Sequence, residues 1–326
     1  MALLVAVVGI VAVHDLREDG SLVRLGDNLV AGVSNGSLWA LVAIGYTLVY
    51  GLVELINFAH GEVFMIGSFV AVGLYPTLGL GPATAAPLLV AGLLVCLVVA
   101  SLASGVLNLM IERVGYRPLR DAPRLAPLIT AVGFSFILQN VGLLWLGGSP
   151  ASVPDLIGSQ SELFEVAGIS VSNGDALAIV GTAPLIVGIT VFIGRARLGR
   201  AMRACAQDPD AARLMGINVD ATIAATFLLG GLMAGAAGLY FALYQTTVWY
   251  FQGFTAGLLA FTAAVMGGIG NLRGAVLGGL IIGIIQQMSD NRIGSQWTPA
   301  VVFSFLVLVI VLRPQGLLGE QIRRAG

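Results

Sequence analysis

The chain has 326 residues, of which 57% are hydrophobic and only 10% are charged. Soluble domains carry about 25% charged residues, so this composition excludes a soluble globular protein and indicates an integral membrane protein. With two cysteines and two histidines, the chain has too few ligands for a disulfide framework or a metal centre. It also lacks a GxxxxGK(S/T) phosphate loop, so we expect no ATP or other cofactor to be bound by this chain.

The arginine residues predict the orientation of the chain in the membrane. All sixteen basic residues are Arg, and twelve of them lie in three short stretches, Glu112–Arg124, Arg195–Val219 and Arg313–Gly326. Cytoplasmic loops carry an excess of basic residues, so these stretches and the C-terminus are predicted to be cytoplasmic. The stretch Gly147–Asp175 carries four acidic residues and no Arg, which predicts that it lies outside.

Residues 1–27 are predicted to form an N-terminal extension. Its apolar segment, Ala2–Val13, has twelve residues, fewer than the roughly 20 that span a bilayer as a helix. This segment is compatible with a tilted span, a signal-like segment or an artefact of the assigned start. Residues 28–319 are predicted to be the transmembrane domain, with a cytoplasmic loop at about 199–219, and residues 320–326 a cytoplasmic tail.

From residue 28 onward, long apolar runs predict an all-α polytopic bundle of about eight to ten membrane spans. The predicted spans are Asn28–Tyr50, Glu62–Leu78, Pro87–Met110, Leu125–Leu146, Ala176–Gly194, Ala221–Tyr244 and Thr298–Leu312, with two further segments in Leu259–Ile285. The stretches between them are too short for a catalytic domain of ordinary size.

The stretch Gly51–Gly67 interrupts the apolar pattern with four polar side chains, Glu54, Asn57, His60 and Glu62. A polar break at membrane depth is tolerated where protein or a water-filled cavity covers the freed backbone groups. Ionisable groups inside membrane segments are costly, and their first interpretation is functional. We therefore predict that these residues line or gate a translocation pathway.

A structural interpretation of the same residues stays open. Glu62 could simply sit in the first turn of the next helix, where the helix dipole favours a carboxylate. Asn57 could satisfy a loose backbone carbonyl.

A second break contains Gly268, Gly270 and Asn271. The glycines that continue this series, Gly274 and Gly278, are spaced by four, which lets helices approach closely in lipid. Glycines this dense are equally typical of a broken helix beside a pathway. Paired interruptions in the two halves of a chain point to a transport route, so we predict that this break also contributes to the pathway.

The second cytoplasmic loop contains the signals of a short helix. Asp208 is a suitable N-cap, Pro209 suits the first helical position, and Gly216 suits the position after the C-cap. These signals predict a helix over Pro209–Met215, which is too short to be stable alone and is therefore expected to dock against a partner. The alternative is a solvated connector with an accidental cap.

Several runs of sequence together resemble one protein family. They are INFAHGE at Ile56–Glu62, ERVGYRPLR at Glu112–Arg120, APLITAVGFSFILQN at Ala126–Asn140, GRAMRACAQDPDAARLMGIN at Gly199–Asn218, and RPQGLLG at Arg313–Gly319. These runs are similar to permease subunits of ABC importers for branched-chain amino acids, and the pattern is closest to the H-type subunit. The resemblance extends over almost all of residues 28–319.

The resemblance implies a prokaryotic plasma (inner) membrane importer with a paralogous M-type permease, two cytoplasmic ABC ATPase subunits that bind ATP, and an extracytoplasmic solute-binding protein. It implies that the helix Pro209–Met215 is a coupling helix seated in an ATPase groove, with Asp208, Arg213 and Gly216 setting its ends and contact. The solute would be leucine, isoleucine, valine or a related small polar molecule. The N-terminal extension and the outer segment TTVWYFQGF depart from the family pattern and leave the solute open.

Two other functional classes were weighed. A stand-alone secondary transporter or channel would need a relay of ionisable groups in its own helices, which Glu54, His60 and Glu62 could supply. An intramembrane enzyme using His60 with Glu62 is disfavoured, because no nucleophile is placed beside them.

Overall fold

The computed structural model describes residues 9, 12–13, 15–16, 21–120, 122–123 and 125–319. The apolar segment predicted at Ala2–Val13 lies mostly outside the described residues, and the tail predicted at 320–326 lies wholly outside them.

The described chain is a helical bundle, as the sequence predicts. Its helices are α1 (Val23–Val53), α2 (His60–Thr77), α3 (Ala86–Ile111), α4 (Leu125–Leu146), α5 (Asn173–Arg195), α6 (Arg197–Gln207), α7 (Pro209–Leu214), α8 (Val219–Gln245), α9 (Gln252–Gly267), α10 (Leu272–Arg292) and α11 (Thr298–Leu312). Beyond α3 the helical path continues through a π-helical turn, Glu112–Tyr116, and a 3-10 turn, Arg117–Leu119.

Seven of the described helices are long and apolar enough to cross a membrane, namely α1, α3, α4, α5, α8, α10 and α11. Helices α2 and α9, with 18 and 16 residues, lie among them. If α2 and α9 also cross, the described helices make nine spans, within the predicted eight to ten. Helices α1, α8 and α10 are mostly buried inside the bundle, whereas α3, α4, α5 and α11 expose most of their surface.

Small residues allow the central helices to approach closely. A Cβ on Gly274 or Gly278 of α10 would overlap the backbone of α9 at Gly267 or Ala263. On the other side of α10, a Cβ on Gly283 would overlap the backbone of α1 at Gly36. The glycine series of α10 therefore serves close helix packing.

Replacing Gly283 with valine is expected to destabilise the bundle, because the added side chain must push α1 away from α10. Overpacking of this kind costs about 1–3 kcal/mol or more. The measurement is the thermal unfolding midpoint of the detergent-solubilised protein. Gly188→Val on α5 is the matched control, since nothing lies within 4 Å of a Cβ at Gly188. Equal midpoints for the two variants would contradict the close-packing role.

The loop between α4 and α5 contains strands that the sequence analysis did not predict. Strands β2 (Glu162–Val166) and β3 (Ile169–Ser172) form an antiparallel hairpin, and β1 (Ala151–Ser152) pairs with β4 (Thr247–Val248). The hairpin turns through Ala167 and Gly168, which both have positive φ, as a two-residue turn of type I′ requires.

Candidate functional site

Asn57 connects the polar break after α1 to helices α3 and α8 through hydrogen bonds. The Asn57 side chain accepts a hydrogen bond from the Ala59 amide (3.2 Å) and donates one from Nδ2 to Asn108 Oδ1 (3.0 Å). Asn108 in turn donates from Nδ2 to the Phe227 carbonyl on α8 (2.6 Å). Tyr116 completes the attachment, since its hydroxyl donates to the Ile56 carbonyl (3.0 Å). This geometry fits the structural interpretation of Asn57.

The break runs from the surface of the bundle at Glu54 to its interior at Asn57. Phe227, whose carbonyl binds the Asn57 partner Asn108, marks the depth of the break along α8. It is seven residues further along α8 than Asp220, a distance of about 10 Å along the helix axis. Asp220 meets Arg117 and Arg120 of the first Arg-rich loop. Glu54, at the start of the break, ends α1 in a left-handed conformation with φ of 54° and is exposed. Asn57 is buried.

His60 is fully buried and packs edge-on against Tyr46, with ring centroids 4.7 Å apart. A Cβ on Gly45 would overlap the imidazole. The ring faces the Val42 carbonyl, yet neither ring nitrogen has a hydrogen-bond partner among the described residues. His60 and Glu62 thus form no hydrogen-bonded pair in the described part of the chain, which leaves the disfavoured enzyme interpretation without a dyad.

Glu62 lies in the first turn of α2 and is fully buried. Its Oε1 accepts a hydrogen bond from Gln139 Nε2 on α4 (2.9 Å), and Gln139 Nε2 also lies 3.3 Å from Ser135 Oγ. Oε2 has no hydrogen-bond partner among the described residues. The Glu62 carboxyl group therefore keeps a free acceptor in the middle of the bundle.

Sequence reasoning missed the two α4 partners of Glu62. Ser135 and Gln139 are spaced by four residues, so they share one face of an otherwise apolar helix. A paired polar face in a membrane span was the available signal.

A cavity of about 70 Å3 lies directly beside this polar cluster, between α1, α4 and α9. Its polar wall is formed by Ser135 and Gln139. Its remaining wall is largely aromatic and includes Tyr46, Phe58, Phe136, Phe254 and Phe261. Such a cavity offers an apolar surface on one side and hydrogen-bonding groups on the other.

The second break forms the tight turn between α9 and α10. Gly268 and Gly270 adopt φ of 106° and 89° there. Asn271 caps α10, since its Oδ1 accepts from the Arg273 and Gly274 amides, and its Nδ2 donates to the Leu318 carbonyl (2.7 Å).

The two breaks meet, because a Cβ on Gly51 would lie 3.1 Å from the Gly270 Cα. None of the three predicted residues of the second break, Gly268, Gly270 and Asn271, lines the 70 Å3 cavity. The structure therefore brings the breaks together but separates the second one from the Glu62 cluster.

The short helix predicted at Pro209–Met215 is present as α7, one residue shorter than predicted. Asp208 Oδ1 accepts from the Asp210 and Ala211 amides, both at 2.9 Å. At the other end Gly216 has φ of 82°, and the amides of Gly216 and Ile217 donate to the carbonyls of Arg213 and Ala212. This is a Schellman ending, so both ends of α7 are fixed by hydrogen bonds.

The tip of α7 presents apolar side chains to solvent. Leu214 is 89% exposed and Met215 81% exposed, whereas Ala212 is buried against the bundle. Arg213 forms an exposed ion pair within the helix, with its Nη1 2.8 Å from Asp210 Oδ1. Met215 was predicted as a contact residue, and Leu214 is a neighbour that the sequence analysis missed.

The family described as "Branched-chain amino acid transport system / permease component" matches residues 28–312. The chain belongs to this family.

Individual relatives agree with the family assignment. The chain is 41% identical over 294 residues to the high-affinity branched-chain amino acid transport system permease protein BraD of Pseudomonas aeruginosa, covering 90% of this chain and 95% of that protein. It is 42% identical over 295 residues to the corresponding permease protein LivH of Escherichia coli, covering 89% and 94%. A probable LivH of Methanocaldococcus jannaschii is 27% identical over 299 residues, covering 88% and 89%.

Family membership and the seven apolar helices make the chain a multi-pass membrane protein of the transport permease type and not an enzyme. The resemblance to branched-chain amino acid permeases is thereby confirmed.

A buried ion pair in this permease holds the first Arg-rich loop against the bundle. Glu112 is fully buried and pairs with Arg120, whose guanidinium also meets Asp220 at the start of α8. Arg117 pairs with the same Asp220 at 2.9 Å, but both of those side chains are about half exposed.

Replacing Arg120 with glutamine is expected to destabilise the permease far more than replacing Arg117. Arg120→Gln leaves the Glu112 carboxylate buried without its counter-ion, which costs about 3–5 kcal/mol. Arg117→Gln breaks an exposed pair worth about 0–1 kcal/mol. Thermal unfolding of the two variants in detergent provides the comparison, and similar midpoints would show that the Glu112 pair is not structural.

Proposed function

We propose that this chain is the H-type permease subunit of an ATP-driven importer for the branched-chain amino acids leucine, isoleucine and valine. The observation that carries this proposal is the cavity whose aromatic wall faces a polar end at Gln139, next to the buried Glu62. The names of the curated relatives supply the substrate class.

The chemistry of the cavity suits an amino acid with a branched aliphatic side chain. The rings of Tyr46, Phe254 and Phe261 offer apolar surface to the side chain. At the polar end, Gln139 lines the cavity and Glu62 lies directly behind it, so the Glu62 carboxylate would attract the α-ammonium group although it does not line the cavity itself. One cluster thus provides complementary contacts for both parts of the solute.

The small size and exposed aromatic wall of the cavity support the proposal that a second subunit completes the pathway. Ligand pockets span about 300–1,000 Å3, and the cavity of about 70 Å3 is smaller than that. Two of its aromatic residues are exposed at the surface of the described chain, since Phe136 is 60% and Phe254 41% exposed. A paralogous M-type permease packed on α4 and α9 would enclose the pathway between the two subunits.

Energy coupling would pass through α7. Its exposed Leu214 and Met215 suit an apolar groove of a cytoplasmic ABC ATPase, and two such ATPases would bind ATP on behalf of the assembly. This chain would need no cofactor of its own. An extracytoplasmic solute-binding protein would deliver the amino acid to the outer face.

The proposed coupling role implies an orientation of the chain in the membrane. The Arg-rich loops, α7 and the C-terminus would face the cytoplasm of a prokaryotic cell, across its plasma (inner) membrane. The roles assigned to Glu54, Asn57, His60, Gly268, Gly270 and Asn271 in gating remain part of this proposal.

A stand-alone secondary transporter is the weaker candidate. It would require a relay of ionisable groups, and no hydrogen bond joins His60 to Glu62 among the described residues. It also gives no reason for a doubly capped loop helix with an exposed apolar tip.

The test is site-directed cross-linking from α7 combined with uptake. Met215→Cys places a thiol at the tip of α7, and the native Cys96 and Cys205 are buried. Burial also raises the pKa of the Cys205 thiol, which keeps its reactive thiolate fraction low. We expect Met215→Cys to capture an ATPase subunit and the reconstituted assembly to take up leucine only with ATP. Uptake by this chain alone, without capture of an ATPase, would replace the importer by a carrier.

A further inference from the structure

A second, larger cavity lies away from the Glu62 cluster, where the last described helix meets the bundle. It has a volume of about 310 Å3 and is formed by α9, α10, α11 and the segment Arg313–Leu318. Its lining is apolar apart from Arg313, and includes Ile281 of α10 and Leu308 and Leu312 of α11. Leu312 is 70% exposed, so the cavity opens at the surface that α11 presents to lipid.

The rim of this cavity carries one basic side chain, Arg313. Arg313 is exposed and forms no ion pair with the described residues. Arg273, which is also exposed, stands at the start of α10 beside Asn271, whose side chain binds the Leu318 carbonyl. Both arginines therefore belong to the end of the bundle where the C-terminal segment folds back.

We propose that this cavity binds one molecule of anionic phospholipid, with an acyl chain between α10 and α11 and the phosphate at Arg313. The volume falls in the range of about 300–1,000 Å3 that ligand pockets span. An apolar cavity open to lipid is filled more favourably by an acyl chain than by water. A basic residue at a helix end on the cytoplasmic side selects an anionic headgroup over a zwitterionic one.

The proposed lipid would support the turn between α9 and α10. The Leu317 and Leu318 amides donate to the Met266 and Gly267 carbonyls, at 2.8 and 2.9 Å. The segment that lines the cavity therefore also holds the end of α9, which lies against Gly51 through Gly270. Occupancy of the cavity would thus stabilise the attachment of α11 to the central helices.

The test counts lipids bound to the assembly purified from membranes, by native mass spectrometry, with phosphatidylglycerol and phosphatidylcholine as the added probes. Leu308→Trp fills the cavity, and Val307→Trp places the same side chain at an exposed neighbouring position of α11 that does not line it. Arg313→Gln removes the cation, with Arg197→Gln at an exposed position of α6 as its control.

We expect Leu308→Trp to lose the retained lipid while Val307→Trp keeps it. Arg313→Gln is expected to lower the preference for phosphatidylglycerol over phosphatidylcholine about fivefold. This factor corresponds to the free energy of about 1 kcal/mol that one basic residue contributes at an anionic lipid surface. Equal lipid retention by the two tryptophan variants would overturn the proposal, as would an unchanged lipid preference in Arg313→Gln. If the Leu308→Trp assembly loses the second permease, protein and not lipid fills the cavity. If inorganic phosphate abolishes the preference for phosphatidylglycerol, Arg313 is a simple anion site. Either outcome would overturn the proposal.

Discussion

Replacing Leu214 with aspartate is expected to abolish ATP-driven uptake while the permease still folds in the membrane. Leu214 is 89% exposed at the tip of α7, so the folded subunit loses little when the side chain changes. In the proposed assembly the same side chain is buried against an ATPase. Burying a leucine contributes about 1.5–3 kcal/mol, and its loss corresponds to roughly 10- to 150-fold weaker association. The aspartate adds the cost of burying an unpaired charge.

The measurement compares ATPase retention and leucine uptake in reconstituted vesicles. Leu214→Met is the matched control, because it keeps an apolar side chain of similar size and is expected to retain both. Full uptake by Leu214→Asp would show that α7 does not contact the ATPase. Loss of the permease from the membrane would instead show that α7 supports the fold.

A second variant, Gly216→Leu, alters the backbone at the C-terminal end of α7. Gly216 has φ of 82° and nothing lies within 4 Å of a Cβ there, so Gly216→Leu would create no crowding. It would penalise the left-handed conformation that ends α7, by about 1–2 kcal/mol. We therefore expect Gly216→Leu to uncouple ATP hydrolysis from uptake, but less completely than Leu214→Asp.

The ends and caps of several helices could be predicted from the sequence, because they depend on residues close to one another in the chain. The bounds of α4 and α11 were predicted to the residue, because their apolar runs end abruptly at turn residues or at Arg313. The caps of α7 were predicted for the same reason, since Asp208 and Gly216 act on backbone groups within three residues of themselves.

Contacts between distant segments could not be predicted in this way. Gln139 and Glu62 are 77 residues apart, and no local sequence pattern around either residue predicts that the two are in contact. The start of α2 was placed at Glu62, whereas the helix begins at His60, so that His60 packs against Tyr46 inside the bundle. The β2–β3 hairpin was missed because its strands are only five and four residues long, and short alternating segments give a weak signal.

Replacing Glu62 with glutamine is expected to impair transport strongly while leaving the assembly intact. Glutamine has nearly the same shape, and its carbonyl oxygen can still accept the hydrogen bond from Gln139 Nε2. What disappears is the negative charge behind Gln139, which in the proposed function attracts the α-ammonium group at the polar end of the cavity. Two unit charges about 8 Å apart at an effective dielectric constant of about 20 attract each other by about 2 kcal/mol, so uptake at subsaturating leucine should fall roughly 30-fold.

The experiment measures leucine uptake and basal ATP hydrolysis by the same reconstituted preparation. Gln139→Met serves as the companion variant, because it removes the hydrogen bond from Gln139 and keeps the Glu62 carboxylate. If Glu62 acts on the solute, Glu62→Gln loses uptake with normal assembly, and its effect exceeds that of Gln139→Met. If Glu62 is only structural, the ranking changes, because Gln139→Met leaves a buried carboxylate without its donor and costs more stability than the isosteric substitution. A lower unfolding midpoint for Gln139→Met together with normal uptake by Glu62→Gln would therefore assign Glu62 to the fold and remove it from the pathway.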